Sequence, residues 1–297
     1  MKKLILIDGY SFLFRAFFAI RGLTRSDGTP VGALYGFTRM LIKLITDIEY
    51  SHIAVVFDCG CKTFRNDLYE NYKANRAPCP EDLKPQFPLV RDIVKVLNIK
   101  TLEKIGYEAD DLIATYSKKA ENEGIEVMIV SSDKDLMQLV DDKVKMFDGM
   151  KNEIIDAEKV KEKWGVPPEQ LLDVLSLMGD SSDNVPGVPG IGPKTAAELI
   201  SEFGNLDNLL AHLDTIKQNK RREILIENKD SALLSKKLIT LDDNVEMEET
   251  VEDLAFKQYD YRELLEFLKA QDFNAMVKGL EKAFNGIDNG LVTSVEI

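Results

Sequence analysis

VMIVSSDKD, from Val127 to Asp135, is a run of four apolar residues that stops at two serines and then two aspartates around a lysine. A short apolar run without alternation is what a strand needs when helices cover it on both faces. Two further runs match it. LILI (Leu4 to Ile7) is followed by Asp8, and IAVVF (Ile53 to Phe57) by Asp58. Helical patterns lie between them, one over 32–48 and one over 110–122 that Gly124 closes as a C-cap. Strands alternating with helices predict an α/β fold, Rossmann-like, with a mainly parallel sheet and helices on both faces. This core is expected over 1–165.

The chain reads differently beyond that point. Helical stretches are predicted over 168–178, 193–203, 206–213, 229–238 and 261–269, with no convincing strand among them. Ala196, Leu199, Ile200 and Phe203 fall on one helical face. A smaller helical subdomain is expected over 166–283, with a helix–hairpin–helix at about 168–203, and a tail or linker over 284–297.

All three apolar runs end in acid, and in a parallel sheet those ends share one edge, where open α/β folds bind ligands. Asp8, Asp58, Asp133 and Asp135 are therefore brought together. Glu108, Asp110 and Asp111 open the helix before the third run, and Asp180 and Asp183 stand in the loop MGDSSDNVPG (Met178 to Gly187). Singly, each group reads equally as a turn residue, a cap or a complement to a helix dipole. Five groups on one edge read otherwise. Nine like charges destabilise a site unless a cation neutralises them. Hard oxygen donors select Mg²⁺, Mn²⁺ or Ca²⁺, and two such ions suit phosphodiester hydrolysis. Ideal helical spacing would turn Asp110 away from Glu108 and Asp111.

Candidate nucleic-acid contacts lie in two places. KTFRNDLYENYKANR (Lys62 to Arg76) interleaves Lys62, Arg65, Lys73 and Arg76 with Phe64, Tyr69 and Tyr72, the mixture that grips a single strand. An amphipathic surface helix with buried tyrosines fits its spacing as well. Pro78, Pro80, Pro85 and Pro88 follow and are expected to break any helix. The second place is GVPGIGPKT (Gly187 to Thr195). It fails the phosphate-loop pattern, because Pro193 separates Gly192 from Lys194. It fits a hairpin instead, with free N–H groups at a helix start facing a phosphate. Lys217, Lys220, Arg221 and Arg222 add cations nearby. Arg15 reads equally as a phosphate contact or an ion-pair partner.

The net charge of −13 does not exclude a polyanion partner. Residues 242–282 carry 12 acids and 5 bases, whereas 62–100 carry 8 bases and 5 acids. With only His52 and His212, a histidine triad or multi-histidine metal site is excluded. Three cysteines give no disulfide framework or paired zinc spacing. Neither an export signal nor a membrane span is legible, so a cytoplasmic monomer without membrane partners is expected.

In order, LILIDGYSFLFRAFFA, VVFD, TFRNDLYENYKANR, GYEADDLIAT, SSDKDLMQLV and LMGDSSDNVPGVPGIGPKTAAELI resemble the flap endonuclease family, including the 5′ nuclease domain of bacterial DNA polymerase I. The resemblance covers residues 1 to about 280. It implies a PIN-like core, DNA with 5′ flaps, nicks or ends as substrate, and removal of flaps and RNA primers by a two-metal mechanism. It places Asp8, Asp58, Glu108 and Asp110 at a first ion and Asp133, Asp135 and Asp183 at a second, with Asp111 and Asp180 in support. A helical arch is implied at about 62–95, with Lys73 and Arg76 acting on the scissile phosphate, Tyr72 stacking, and Arg15 and Arg65 contacting phosphates. Gly187, Gly190, Gly192, Lys194 and Thr195 match the duplex-binding hairpin, where relatives also hold K⁺. A DNA polymerase partner is implied, either as a separate protein or as a following domain. Cys59 and Cys61 replace small residues after the VVFD aspartate and are expected to pack. A PIN-like ribonuclease and a non-catalytic DNA-binding module are the rival readings.

Overall fold

The computed structural model describes residues 2–149 and 151–285. The core runs β1 (Lys3–Asp8), α1 (Gly9–Ala19), α2 (Gly32–Asp47), β2 (His52–Val56), α3 (Phe64–Leu68), α4 (Gln86–Val96) and β3 (Lys100–Leu102). It continues through α5 (Ala109–Asn122), β4 (Glu126–Val130), β5 (Val144–Asp148) and β6 (Glu153–Ile155). Helices then follow one another: α6 (Ala157–Trp164), α7 (Pro168–Met178), α8 (Pro193–Phe203), α9 (Leu206–Ala211), α10 (Asn219–Glu227), α11 (Lys229–Ile239), α12 (Tyr261–Ala270) and α13 (Asn274–Asn285). Of the expected tail, 286–297 lies outside the described residues.

The six strands stand in the order β3-β2-β1-β4-β5-β6. β1 to β5 pair in parallel and β6 runs antiparallel to β5. The chain leaves β1 first toward β2 and later toward β4, so the carboxyl end of β1 is the switch point at which such sheets bind ligands. Alternate residues of the central strands feed two cores. Leu4, Leu6, Val56, Val127 and Ile129 pack with α5 and α7, while Ile5, Ile7, Val55, Met128 and Val130 pack with α2, α4 and α12. Burial on both faces is why these strands read as unbroken apolar runs.

The strands absent from the sequence reading lie toward the edges. β3 is only three residues long, and β5 (VKMFD) alternates buried with exposed or half-buried side chains. α4 forms despite Pro88, because a proline in the first helical turn removes an N–H that has no partner there. Val90, Ile93 and Val94 of α4 are fully buried, so residues 86–95 belong to the core layer and not to an arch.

The link between α7 and α8 sets the geometry of the site. Asp180 and Val185 exchange both backbone hydrogen bonds across a tight loop. Gly187, at φ 60°, lies so close to Gly179 that an added Cβ would stand 2.4 Å from the Gly179 nitrogen. Its N–H donates to Ser235 Oγ, and its carbonyl accepts from Ser231 Oγ of α11. Gly187→Ala is expected to lower the unfolding free energy by about 3 kcal/mol, since backbone cannot yield as a side chain can. Chemical denaturation measures it, and a loss under about 1 kcal/mol would mean the two turns are not locked.

Candidate metal centre

Asp8 is the last residue of β1 and the N-cap of α1, where it accepts the Ser11 N–H at 3.1 Å and the Ser131 hydroxyl at 2.9 Å. Asp58, just beyond β2, accepts the Ala109 N–H at 2.8 Å. Glu108 is the extended N-cap of α5, not part of the helix. Asp110 follows in the first turn of the helix, where the charges of Asp133, Asp8 and Asp58 act on it.

The electrostatics record this crowding. Burial, then the charges of Asp133 and Asp58, push Asp8 up to about 7 against the Ser131 hydrogen bond, which lowers it. Burial, then Asp133 and Asp8, raise Asp110 well above the usual carboxylate range. Burial raises Asp58 as well, and burial with Asp133 brings Asp135 to about 6. Near neutrality, buried carboxylates of this kind hold protons that a divalent cation would replace, and a donor set made only of carboxylate oxygens fits a hard ion. An acid whose folded pKa is raised binds more protons folded than unfolded, so metal-free stability falls as pH rises through this interval. Between about pH 5 and about pH 8 the melting temperature of chelated protein is therefore expected to drop. Added Mg²⁺ should raise it more at the higher pH. Thermal scans check both, and an Mg²⁺ shift independent of pH would count against a carboxylate site.

Asp135, Asp180 and Asp183 have carboxylate oxygens within 4.8 Å of one another. Lys134 lies among them, paired with Asp180 and 3.3 Å from Asp135. Opposite stands the turn 69–76, which docks on the 180–185 loop. The Lys73 N–H donates to the Asp183 carbonyl at 2.9 Å, and the Asn75 and Asn184 amides donate to the Ser181 and Asn71 carbonyls. Lys73 reaches Glu108 at 2.8 Å and Asp183 at 3.7 Å, and Arg76 reaches Asp183 at 2.5 Å. Burial tends to lower the Lys73 pKa, but Glu108 and Asp183 outweigh it and hold the ammonium above its usual range. Lys73 adopts φ 57°, a left-handed conformation that costs a non-glycine residue energy and is kept where the surroundings impose it.

Several expected roles change. Asp111 is fully buried and accepts both Arg65 guanidinium nitrogens at 2.7 Å, with the backbone N–H groups of Glu108 and Asp242 as further donors. Both its oxygens are thus engaged within the protein. Arg65 is 1% exposed and also donates to the Leu238 and Thr240 carbonyls, which removes it from any phosphate. Tyr72 is buried, with its hydroxyl on Glu108 Oε2 at 3.1 Å. Arg15 pairs with Asp148 at 3.1 Å. Cys61 is exposed, not packed.

The hairpin divides likewise. Gly187 is buried and structural, whereas Gly190, Gly192 and Lys194 are exposed and Thr195 is half-exposed. Gly192 caps α8 without a side chain, Pro193 is the first helical residue, and the space beside Gly190 and Gly192 is open. Arg221 lies 3.9 Å from Glu198 of α8, and Lys217 and Lys220 are exposed. Lys134 and Ser131 escaped the sequence reading as site residues. An SSDKD run gives no sign which of its polar side chains turn inward.

Acids gather at the switch point of a parallel sheet with cations of the 69–76 turn among them, a donor set of carboxylate oxygens suited to hard cations. The family models agree in order along the chain. The 5′-3′ exonuclease N-terminal resolvase-like domain matches residues 3–165, and the 5′-3′ exonuclease C-terminal SAM fold matches 166–262. The chain belongs to the 5′-3′ exonuclease family. A 5′-3′ exonuclease of Aquifex aeolicus is 39% identical over 96% of this chain and 97% of its own length. DNA polymerase I of Rhizobium leguminosarum is 48% identical over 95% of this chain but 29% of its own length. The chain thus spans about a third of its DNA polymerase I relatives. T5 5′-exonuclease with bound zinc shares the fold at a TM-score of 0.68 and 23% identity, covering 95% of this chain and 99% of that one. The catalytic core of Rad2 with DNA substrate does so at 0.62 and 20%, covering 91% and 87%. Among the described residues no helix is long and apolar enough to cross a membrane.

Proposed function

We propose that the chain is a structure-specific 5′ nuclease that hydrolyses DNA phosphodiesters at 5′ flaps, nicks and ends, and so removes flaps and RNA primers in replication and repair. The observation that carries this reading is the meeting of Asp8, Asp58, Asp110 and Asp133 with the Asp135–Asp180–Asp183 cluster at one sheet edge. When bound, two Mg²⁺ or Mn²⁺ ions supply an activated water and charge for the leaving oxygen. Asp8, Asp58, Glu108 and Asp110 would hold one ion, and Asp133, Asp135, Asp180 and Asp183 the other.

The chain's own cations do the rest. Lys73 and Arg76 neutralise Glu108 and Asp183 until other cations take up those carboxylates, and then face a scissile phosphate. The turn that carries them, within 62–85, would cross the 5′ strand. The helix start at Gly192 and Pro193, with Lys194, would hold duplex backbone, which gives grip without sequence readout. A K⁺ ion would sit at that hairpin. The length of the polymerase relatives supports a DNA polymerase as partner, fused or separate.

The test is a labelled 5′-flap duplex incubated with Mg²⁺. Cleavage at the junction is expected, and a chelator should abolish it. Asp58→Ala combined with Asp133→Ala is expected to reduce the rate by at least about a thousandfold. Full activity in that double variant would sink the two-metal scheme, and cleavage of RNA hairpins in preference to DNA flaps would shift the reading to a ribonuclease.

A further inference from the structure

Cys59 is half-buried and Cys61 exposed, and only Gly60 separates them. Gly60 adopts φ 69°, and nothing lies within 4 Å of where its Cβ would stand. The chain folds back in an open turn there. Cys61 Sγ comes to 3.6 Å from the Cys59 carbonyl oxygen, so the turn folds the second thiol back over the first cysteine. Two thiols on one open turn, separated by a single glycine with space around it, are chemistry that the metal centre does not use. We propose that Cys59 and Cys61 form a redox-active dithiol that a small-molecule disulfide such as oxidised glutathione closes to an internal disulfide, and that closure slows cleavage.

The exchange balances without another reactant. One cysteine, as thiolate, attacks a sulfur of the oxidant; the oxidant's S–S bond breaks, a mixed disulfide forms and one small thiol leaves. The second cysteine attacks the protein sulfur of that mixed disulfide, the protein S–S bond forms, and the second small thiol leaves. Two electrons pass from the cysteines to the oxidant, and the two cysteine protons end on the two small thiols. Cys79 stands 18 residues beyond Cys61 and packs on the apolar core, so it is not the neighbour that a mixed disulfide at Cys59 or Cys61 meets first. A bridge across one residue closes a small, exposed ring, and strained or exposed disulfides are the readily reduced, regulatory kind.

Position gives closure its effect. Cys59 follows Asp58, whose carboxylate is set by the Ala109 N–H. Cys61 precedes Lys62 and Thr63, the N-cap of α3, which carries Arg65. Tightening the turn pulls on Asp58 from one side and on α3 from the other. Displacing groups that orient a metal ligand costs roughly tenfold to a hundredfold in activity.

The thiol chemistry stands by itself; its effect on cleavage rests on the proposed nuclease function. The whole chain is equilibrated with excess oxidised glutathione, its free thiols are alkylated, and its peptides are weighed. The expected product is a peptide containing residues 59–61 that is lighter by two hydrogens and unalkylated, with Cys79 alkylated. Alkylation of both Cys59 and Cys61, or a crosslink to Cys79 or between chains, overturns the dithiol. The oxidised chain should cut a 5′-flap duplex about tenfold more slowly, and dithiothreitol should restore the rate. A variant with both Cys59→Ser and Cys61→Ser should cut like the reduced chain, with or without oxidant. A disulfide that leaves cleavage unchanged overturns the control of cleavage. A reduced chain that cuts nothing instead tells against the nuclease function, leaving the mass result to stand.

Discussion

Asp110→Asn is expected to give a protein that is more stable than its parent without metal and that cuts DNA about a thousandfold more slowly. The two effects have one cause. Asp110 stands in the first turn of α5, where burial and the charges of Asp133, Asp8 and Asp58 oppose its ionisation. Asparagine keeps the shape and removes the charge, so the metal-free fold should gain about 1–2 kcal/mol near pH 8, where the carboxylates are forced to ionise together. The same charge would hold a cation. Its loss removes several kcal/mol of transition-state stabilisation, and each 1.4 kcal/mol is tenfold in rate. Denaturation in chelator and single-turnover cleavage measure the two sides. A variant that is less stable without metal, or that cuts at the parental rate, would show that Asp110 has a structural role only.

Arg65→Ala is expected to act in the opposite sense, removing folded protein before any defect in DNA binding can be seen. Arg65 joins three separate parts of the chain. It leaves α3, meets Asp111 of α5 in a two-pronged ion pair at 2.7 Å, and donates to the carbonyls of Leu238 and Thr240 at the end of α11. Alanine would leave the Asp111 carboxylate fully buried beside Glu108 without its guanidinium, which costs about 3–5 kcal/mol. Lysine should rescue little, because one ammonium cannot reproduce the planar fork. Thermal denaturation decides the matter. A variant with an unchanged melting temperature and weakened, salt-sensitive DNA binding would return Arg65 to the phosphate-contacting role that the resemblance implied.

The central sheet and most of the acid site were legible because their signals are local. Four or five apolar residues followed by acid need no partner to be read as a strand end, and parallel pairing then brings those ends together. What escaped depends on partners far along the chain. Whether Asp111 or Asp110 joins the carboxylate cluster is decided by the single residue at which α5 begins, and by an arginine 46 positions earlier. Lys62, Arg65, Lys73 and Arg76 look alike in sequence. The fold buries Arg65 and Tyr72, half-exposes Lys73, and leaves Lys62 and Arg76 at the surface. The outer strands escaped for the converse reason. β3 at one edge is three residues long, and β5, second from the other edge, has exposed or half-buried residues on one face, so neither carries an unbroken apolar run.

The link from Gly179 to Gly192 carries both Asp180 and Asp183 at one end and the open glycine turn at the other, with its two halves pressed together at Gly179 and Gly187. For a duplex held at that turn, the distance to the cutting point is measured by covalent chain and not by mobile side chains. On the proposed nuclease function, such a link would work as a ruler. Substitutions at Lys194 or Thr195 would alter how long a substrate stays bound while the length of the product holds constant. Only a change in the rigid backbone between the two ends would move the cut along the strand.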